Sequence, residues 1–148
     1  MNCKKILVSS CLCGKKCRYN GSCVNNSYIK DLTKEEIIEA CPELLGGLSI
    51  PREPCEIVGG NAEDVWNNKA RILSKTGSDY TEQYKLGSNK VLEIIRQNKI
   101  KKAILKQNSP SCGYGKIYDG KFSGNKIEGN GILAELLKKN GITIIPVE

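Results

Sequence analysis

The chain contains no histidine, and it has only one tryptophan, one phenylalanine and one methionine among its 148 residues. Without histidine it can form neither a histidine-containing zinc site, nor a Cys–His nucleophile pair, nor a Ser–His–Asp triad. Few aromatic rings are available to stack on nucleic-acid bases, and no arginine-rich run accompanies the net charge of +7. Solubility explains that charge as well as attraction to phosphate does, so composition gives tRNA binding no specific support.

Long apolar runs are also absent from the sequence. The stretch Ile6-Leu7-Val8 is too short for a signal peptide or a membrane span, and no later stretch is longer. We therefore expect a cytoplasmic protein with no membrane partner. In a reducing cytosol the eight cysteines favour metal binding, catalysis or simple burial over disulfides. Since histidine is absent, any metal must be held mainly by thiolates, which favours zinc or an iron–sulfur cluster.

Short apolar runs separated by helical patterns predict one α/β domain over residues 1–148, with a mostly parallel sheet flanked by helices. Strands are predicted at 4–10, 102–106 and 142–147. One helix is predicted from about Lys34, because Thr33 and Glu36 have the spacing of a capping box, and it ends near Cys41-Pro42. Two more are predicted from Asp79 to about Asn98 and from Asn130 or Gly131 to Gly141.

A long Pro/Gly-rich segment follows Cys41 and extends to Gly59-Gly60. Its prolines and glycines exclude long regular structure, and long loops in compact domains are usually functional. The next segment, residues 62–74, is predicted to form an exposed hairpin or extended chain.

Two cysteines lie just beyond predicted strands, Cys11 after the first and Cys112 after the second. Ligands of open parallel sheets bind beyond the carboxyl ends of the strands, so the fold can bring these thiols together. Cys41 begins the Pro/Gly-rich segment. Spacing alone leaves three interpretations open: buried apolar cysteines, an iron–sulfur cluster, or a zinc knuckle. The knuckle would use Cys11, Cys13, Cys17 and Cys23.

Four segments resemble, in order, the motifs of the thiouracil desulfidase family. They are KILVSSCLCG with CRYNG, CPELLGGLSIPREPCEIVGG, the segment from TGSDY to SPSCGYG, and GNGILAELLKKNGITIIPV. The resemblance covers nearly the whole chain. It implies a Rossmann-like domain with a 4Fe–4S cluster bound by Cys11, Cys41 and Cys112. The remaining iron would bind the substrate sulfur during non-redox cleavage of the C–S bond, a hydrolase- or lyase-type reaction that converts 2-thiouracil to uracil and hydrosulfide.

The resemblance also suggests roles for polar residues near these cysteines. Glu43, two residues from Cys41, would deprotonate the attacking water, although a loop carboxylate can equally pair with a lysine. Ser109 would hydrogen-bond the base or the developing anion, unless it only forms a turn. Asn108 and Ser111 are alternatives to Ser109. Arg52 would anchor the pyrimidine or hold the loop.

The sequence departs from the family pattern at Cys13 and Cys55, where we expect apolar or small residues. These thiols would lie near the cluster, accept sulfur or fill space, and we favour the last interpretation; Cys17 and Cys23 have no assigned role. Two other functions fit the residues. One is a desulfidase or sulfur-handling enzyme acting on thiolated tRNA bases. The other is a non-catalytic, cysteine-ligated module that binds a metal or senses redox state.

Overall fold

The computed structural model describes residues 5–9, 37–49 and 53–147. Its strands are β1 (Ile6–Ser9), β2 (Ile37–Ala40), β3 (Cys55–Val58), β4 (Arg71–Ser74), β5 (Lys102–Lys106), β6 (Tyr114–Tyr118), β7 (Lys126–Asn130) and β8 (Thr143–Val147). Its helices are α1 (Pro42–Leu45), α2 (Ala62–Trp66), α3 (Thr81–Gln97) and α4 (Ile132–Lys139). None of the helices in these ranges is long and apolar enough to cross a membrane.

The central sheet is parallel, with the order β2-β1-β5-β8 among the described strands. The two middle strands are continuous apolar runs because both of their faces are covered. Leu7 pairs with Ala103 and Val8 with Ile104, and at most 1% of any of these four side chains is exposed. The prediction of an α/β domain with a mostly parallel sheet is therefore confirmed.

Helices α3 and α4 pack on this sheet through apolar stripes. The stripe of α3 includes Val91, Leu92 and Ile95, and they share one core with Leu133 and Leu137 of α4. Both helices were predicted from their periodicity and both are confirmed. The N-cap residue of α3 is Tyr80 rather than the predicted Asp79, whose carboxylate instead accepts hydrogen bonds from the amide (2.9 Å) and the hydroxyl (2.6 Å) of Thr81, the first helical residue.

The helix predicted from about Lys34 is wrong over the residues that the structure describes there. Ile37–Ala40 forms β2, which pairs in parallel with β1 from Ile6 opposite Ile37 to Ser9 opposite Ala40. Pairing with a strand distant in sequence outweighs the local capping signal, since helix propensity is a weak preference. Thr33 lies outside the described residues. Cys41 therefore follows a strand rather than a helix.

The prediction for residues 62–74 is wrong in its first half. Asn61 and Asp64 form a capping box that begins α2, and only the second half is a strand, β4, paired antiparallel with β3. The segment is also not exposed throughout, because Val65 and Ile72 are fully buried. In the described residues of the Pro/Gly-rich segment before it, 41–49 and 53–60, the elements are the short α1 and β3, in agreement with the prediction.

An antiparallel hairpin of β6 and β7 follows Cys112 and was not predicted. The buried Glu56 of β3 supports its tip, since Glu56 Oε1 accepts hydrogen bonds from the amides of Gly120 (2.9 Å) and Phe122 (3.3 Å). A buried carboxylate with two amide donors is well satisfied. The hairpin is thus attached to the layer formed by β3 and β4.

Candidate active site

The carboxyl ends of β2, β1 and β5 meet at one edge of the parallel sheet. Cys41 follows the last residue of β2 directly, and Ser9 ends β1, the strand between β2 and β5. Beyond β5 the chain turns through residues 108–113, which contain Cys112. The described cysteines of the predicted ligand set are therefore at the same sheet edge, as the rule for ligand sites of open parallel sheets predicts.

The Glu43 carboxylate contacts Cys41 directly and approaches Cys112 through Ser111. Cys41 Sγ donates to Glu43 Oε2 at 3.4 Å, and Ser111 Oγ donates to Glu43 Oε1 at 2.5 Å. Cys112 Sγ lies 3.7 Å from Ser111 Oγ and 3.6 Å from Ser9 Oγ. All of these side chains are buried, with Glu43 8% exposed and Ser111 fully enclosed.

The thiol of Cys112 is held in its protonated form by its surroundings. Burial raises the pKa of this thiol well above its usual range, and the Glu43 carboxylate raises it further, although hydrogen bonds from Ser9 and Ser111 act in the opposite direction. The thiolate is the form of cysteine that binds a metal, so metal binding here would release the thiol proton. The charge of the metal would then offset the free-energy cost of burying the negative thiolate.

Ser109 holds the turn that carries Cys112. Its Oγ accepts hydrogen bonds from the amides of Ser111 (3.0 Å) and Cys112 (2.7 Å), and it lies 2.9 Å from Ser111 Oγ. These bonds give Ser109 the turn-forming role that the sequence offered as an alternative. A contact of Ser109 with substrate stays a prediction. Asn108 has a positive φ of 73°, a conformation that asparagine tolerates better than most residues. A contact of Asn108 with substrate also stays a prediction.

The amino end of α4 fixes the same turn, a feature that the sequence analysis did not include. The first amides of the helix donate to carbonyls of the turn: Ile132 to Pro110 (2.8 Å) and Leu133 to Ser111 (2.9 Å). Gly131 permits this approach, because a Cβ there would lie 2.4 Å from the Ser111 carbonyl. Helix amides without intrahelical partners are thereby satisfied by the turn.

Gln107 is a second residue that sequence reasoning missed. Its side-chain amide makes two hydrogen bonds to the backbone of Tyr114, donating to the carbonyl (2.8 Å) and accepting from the amide (2.7 Å). The two residues flank the turn, so these bonds close it. A glutamine after a strand carries no distinctive sequence signal for this role.

Two glycines determine where Cys41 and Glu43 lie. A Cβ on Gly46 would be 1.9 Å from the Gln83 carbonyl oxygen, and a Cβ on Gly87 would be 1.7 Å from that of Pro42. Helices α1 and α3 therefore touch backbone to backbone, which only glycine allows. An isolated glycine inside the helical pattern of α3 was the available signal, since such a residue usually has a packing reason.

Several predicted residues lie outside the described part of the chain, namely Cys11, Cys13, Cys17, Cys23 and Arg52. Within the described ranges, no three metal-ligating side chains come together. Cys55 is buried elsewhere, in the core of β3 and β4, where its Sγ donates to the Glu53 carbonyl at 3.5 Å. Its role as a space-filling residue stays a prediction.

Comparison with known proteins identifies the family of the chain. The sequence profile of the 2-thiouracil desulfurase family matches residues 6–148. The chain belongs to this family. It is 52% identical over 141 residues to the uncharacterised protein YbbK of Bacillus subtilis (strain 168), covering 95% of this chain and 93% of that protein. It is also similar to a solved structure, the [4Fe-4S]-dependent thiouracil desulfidase TudS, with a TM-score of 0.85 and 34% identity over 97% of this chain and 90% of that one.

Proposed function

We propose that this protein is a 4Fe–4S-dependent desulfidase that converts 2-thiouracil to uracil and hydrosulfide. The observation that carries the proposal is the Glu43 carboxylate, which lies between Cys41 and Cys112 at the ligand-binding edge of the sheet. Family membership and the likeness to TudS support the substrate and the cofactor. A base beside thiols that bind a metal is the arrangement that hydrolytic removal of sulfur requires.

The thiol pair fits an iron–sulfur cluster. Cys41 and Cys112 are both buried, and the hydroxyl of Ser9 donates to Cys112 Sγ at 3.6 Å. Hydrogen bonds to cluster sulfurs are a common means of tuning such sites, and thiolates are the ligands that iron–sulfur clusters use. We assign the third ligand to Cys11, which comes two residues after Ser9 in the sequence. When bound, the cluster supplies a Lewis-acidic iron that draws electrons from the thiocarbonyl carbon.

Glu43 is proposed to act as the general base. It takes one proton from a water whose oxygen bonds to C2 of the pyrimidine. The second proton of that water passes to the sulfur as the C–S bond breaks, so that uracil and hydrosulfide form, and Glu43 then returns its proton to solvent. A C–O bond replaces a C–S bond, so the conversion consumes no oxidant or reductant. Burial of Glu43 keeps bulk water from competing for its oxygens. We assign contacts with the base to Asn108, to Arg52 and to Ser109, whose proton would turn from Ser111 towards the base when substrate is bound.

Anaerobic preparation with iron and sulfide, followed by assay with 2-thiouracil, tests the proposal. The loaded protein is expected to contain acid-labile sulfide and to release hydrosulfide and uracil in equal amounts. Glu43→Gln is expected to retain iron and lose about 10²–10⁴-fold in kcat, the usual contribution of a general base. Full turnover by Glu43→Gln would contradict its assigned role.

A matched pair of cysteine variants tests the ligand assignment. Cys41→Ser is expected to lose both iron and activity, whereas Cys55→Ser changes a buried thiol in the core of β3 and β4 and is expected to keep both. Equal iron loss in the two variants would contradict the assignment. Thiolated nucleosides and thiolated tRNA should be tested in the same assay. A higher kcat/KM for thiolated tRNA than for 2-thiouracil would identify tRNA, and not the free base, as the substrate.

A further inference from the structure

We propose that Ser111 is a positioning residue that orients the Glu43 carboxylate, and not a group that binds substrate. The inference rests on the proposed function, in which Glu43 is the base. The sequence alone offers Ser111 as an alternative to Ser109 for binding the base, and the inference gives its hydroxyl a different role. The contact joins residues 68 positions apart, with Ser111 Oγ 2.5 Å from Glu43 Oε1.

The direction of the hydrogen bonds follows from the groups present. Ser109 Oγ accepts two backbone amides, so its two lone pairs are occupied and its proton is available only for donation. Among the residues that the structure describes, the acceptor within its reach is Ser111 Oγ at 2.9 Å. Ser111 in turn has one proton, and a carboxylate at 2.5 Å is a far stronger acceptor than the Cys112 sulfur at 3.7 Å. Protons therefore point from Ser109 to Ser111 to Glu43.

This chain of donors fixes the plane of the carboxylate. One oxygen accepts from Ser111, and the other accepts from the Cys41 thiol at 3.4 Å while that sulfur carries its proton. Ser111 is therefore the donor that remains when Cys41 binds the cluster as a thiolate. Ser111 is a rigid support, because it is fully buried and its carbonyl accepts the amides of Leu133 (2.9 Å) and Ala134 (3.1 Å). A buried base held by a second buried residue is a preorganised one. Loss of the hydroxyl should leave Glu43 present but misaligned.

Ser111→Ala therefore separates positioning from substrate binding. We expect kcat to fall about 10–100-fold, because a misplacement of about 1 Å can cost a factor of this size. The KM, the dissociation constant of uracil measured by anaerobic calorimetry, and the iron content are expected to stay within twofold. Ser111→Thr keeps the hydroxyl and should recover kcat to within about fivefold of the unaltered protein. A rise in KM or in the uracil dissociation constant without loss of kcat would overturn the inference in favour of a substrate contact.

A double-mutant cycle shows whether Ser111 acts through Glu43. In the Glu43→Gln background there is no base to orient, so Ser111→Ala should change the residual kcat less than threefold. The same large loss in both backgrounds would overturn the inference, since it would indicate an independent structural or catalytic effect.

Infrared spectroscopy provides a measurement that does not depend on turnover. The difference between the unaltered protein and Glu43→Gln isolates the carboxylate band of Glu43. We expect a band shifted from that of a solvated carboxylate, a shift that Ser111→Ala removes and Ser111→Thr keeps. A solvated-carboxylate band in the unaltered protein would overturn the inference even if Ser111→Ala failed to fold. A shifted band without any desulfidase activity would contradict the proposed function but not the contact.

Discussion

Replacing Gly87 by alanine tests how strictly α1 is held against α3. A Cβ at this position would lie 1.7 Å from the carbonyl oxygen of Pro42 and 3.0 Å from the amide nitrogen of Gly46. Real Cβ atoms essentially never approach other atoms more closely than 3.0 Å, and both of these neighbours are backbone atoms. Helix α1 would therefore have to move away from α3 by more than an ångström.

Two opposing effects determine the stability of this variant. Alanine in a helix interior is favoured over glycine by about 1 kcal/mol. Overpacking a close contact typically costs about 1–3 kcal/mol, so we expect a small net loss of stability. The functional effect should be larger, because Glu43 lies in α1 and Cys41 is its N-cap residue. A shift of about 1 Å in reacting groups can lower kcat roughly 10²-fold.

The assay is anaerobic turnover of 2-thiouracil together with iron content per chain. Gly87→Ala should lose about two orders of magnitude in kcat and part of its iron, while its circular dichroism remains that of a folded protein. Ser88→Ala, at the next position of the same helix, is the matched control and should keep both. Undiminished kcat and iron in Gly87→Ala would refute the view that this glycine positions the site.

Three further substitutions test the fold that supports the site. The Ser88 hydroxyl is buried and has no hydrogen-bond partner in the described part of the chain. Because a buried hydroxyl without a partner destabilises the fold, Ser88→Ala should raise the free energy of unfolding by about 1 kcal/mol, and a lower urea midpoint would contradict this. Gln107→Ala loses two hydrogen bonds to Tyr114 and should cost about 2 kcal/mol, with faster amide exchange at Tyr114; unchanged exchange would refute its role in the turn. Asp79→Ala should lower the free energy of unfolding by about 1 kcal/mol at pH 7, measured by urea unfolding, because it removes the carboxylate that accepts hydrogen bonds from the amide and the hydroxyl of Thr81, the first residue of α3. Burial alone would raise the pKa of Asp79, but hydrogen bonds from Thr81 and the neighbouring Arg71 lower it. The loss of stability in Asp79→Ala should therefore shrink only as the pH falls through that lowered pKa. A loss that stays constant down to pH 2 would contradict the role of the ionised carboxylate.

Local patterns were sufficient for the elements whose signals lie within one segment. The stripe of Val91, Leu92 and Ile95 predicted α3, and Gly141 after a periodic segment predicted the end of α4. Strand β2 could not be found in this way. Its conformation depends on pairing with β1, about thirty residues earlier, and the capping signal at Thr33 and Glu36 pointed to a helix instead.

The site shows the same division between local and distant information. The positions of Cys41 and Cys112 relative to the sheet follow from strand ends, and the spacing from Cys41 identifies Glu43. The contact of Ser111 with Glu43 joins segments far apart in sequence, and no local pattern contains it. The same holds for the backbone contact at Gly87, which depends on how α1 and α3 meet.

The most direct test of the central claim is a product balance for the anaerobically loaded protein with 2-thiouracil and no added oxidant or reductant. The account predicts about four iron atoms per chain, as expected for a 4Fe–4S cluster, and one uracil and one hydrosulfide for each 2-thiouracil consumed. Zinc in place of iron, or an iron-loaded protein that leaves 2-thiouracil intact, would contradict it.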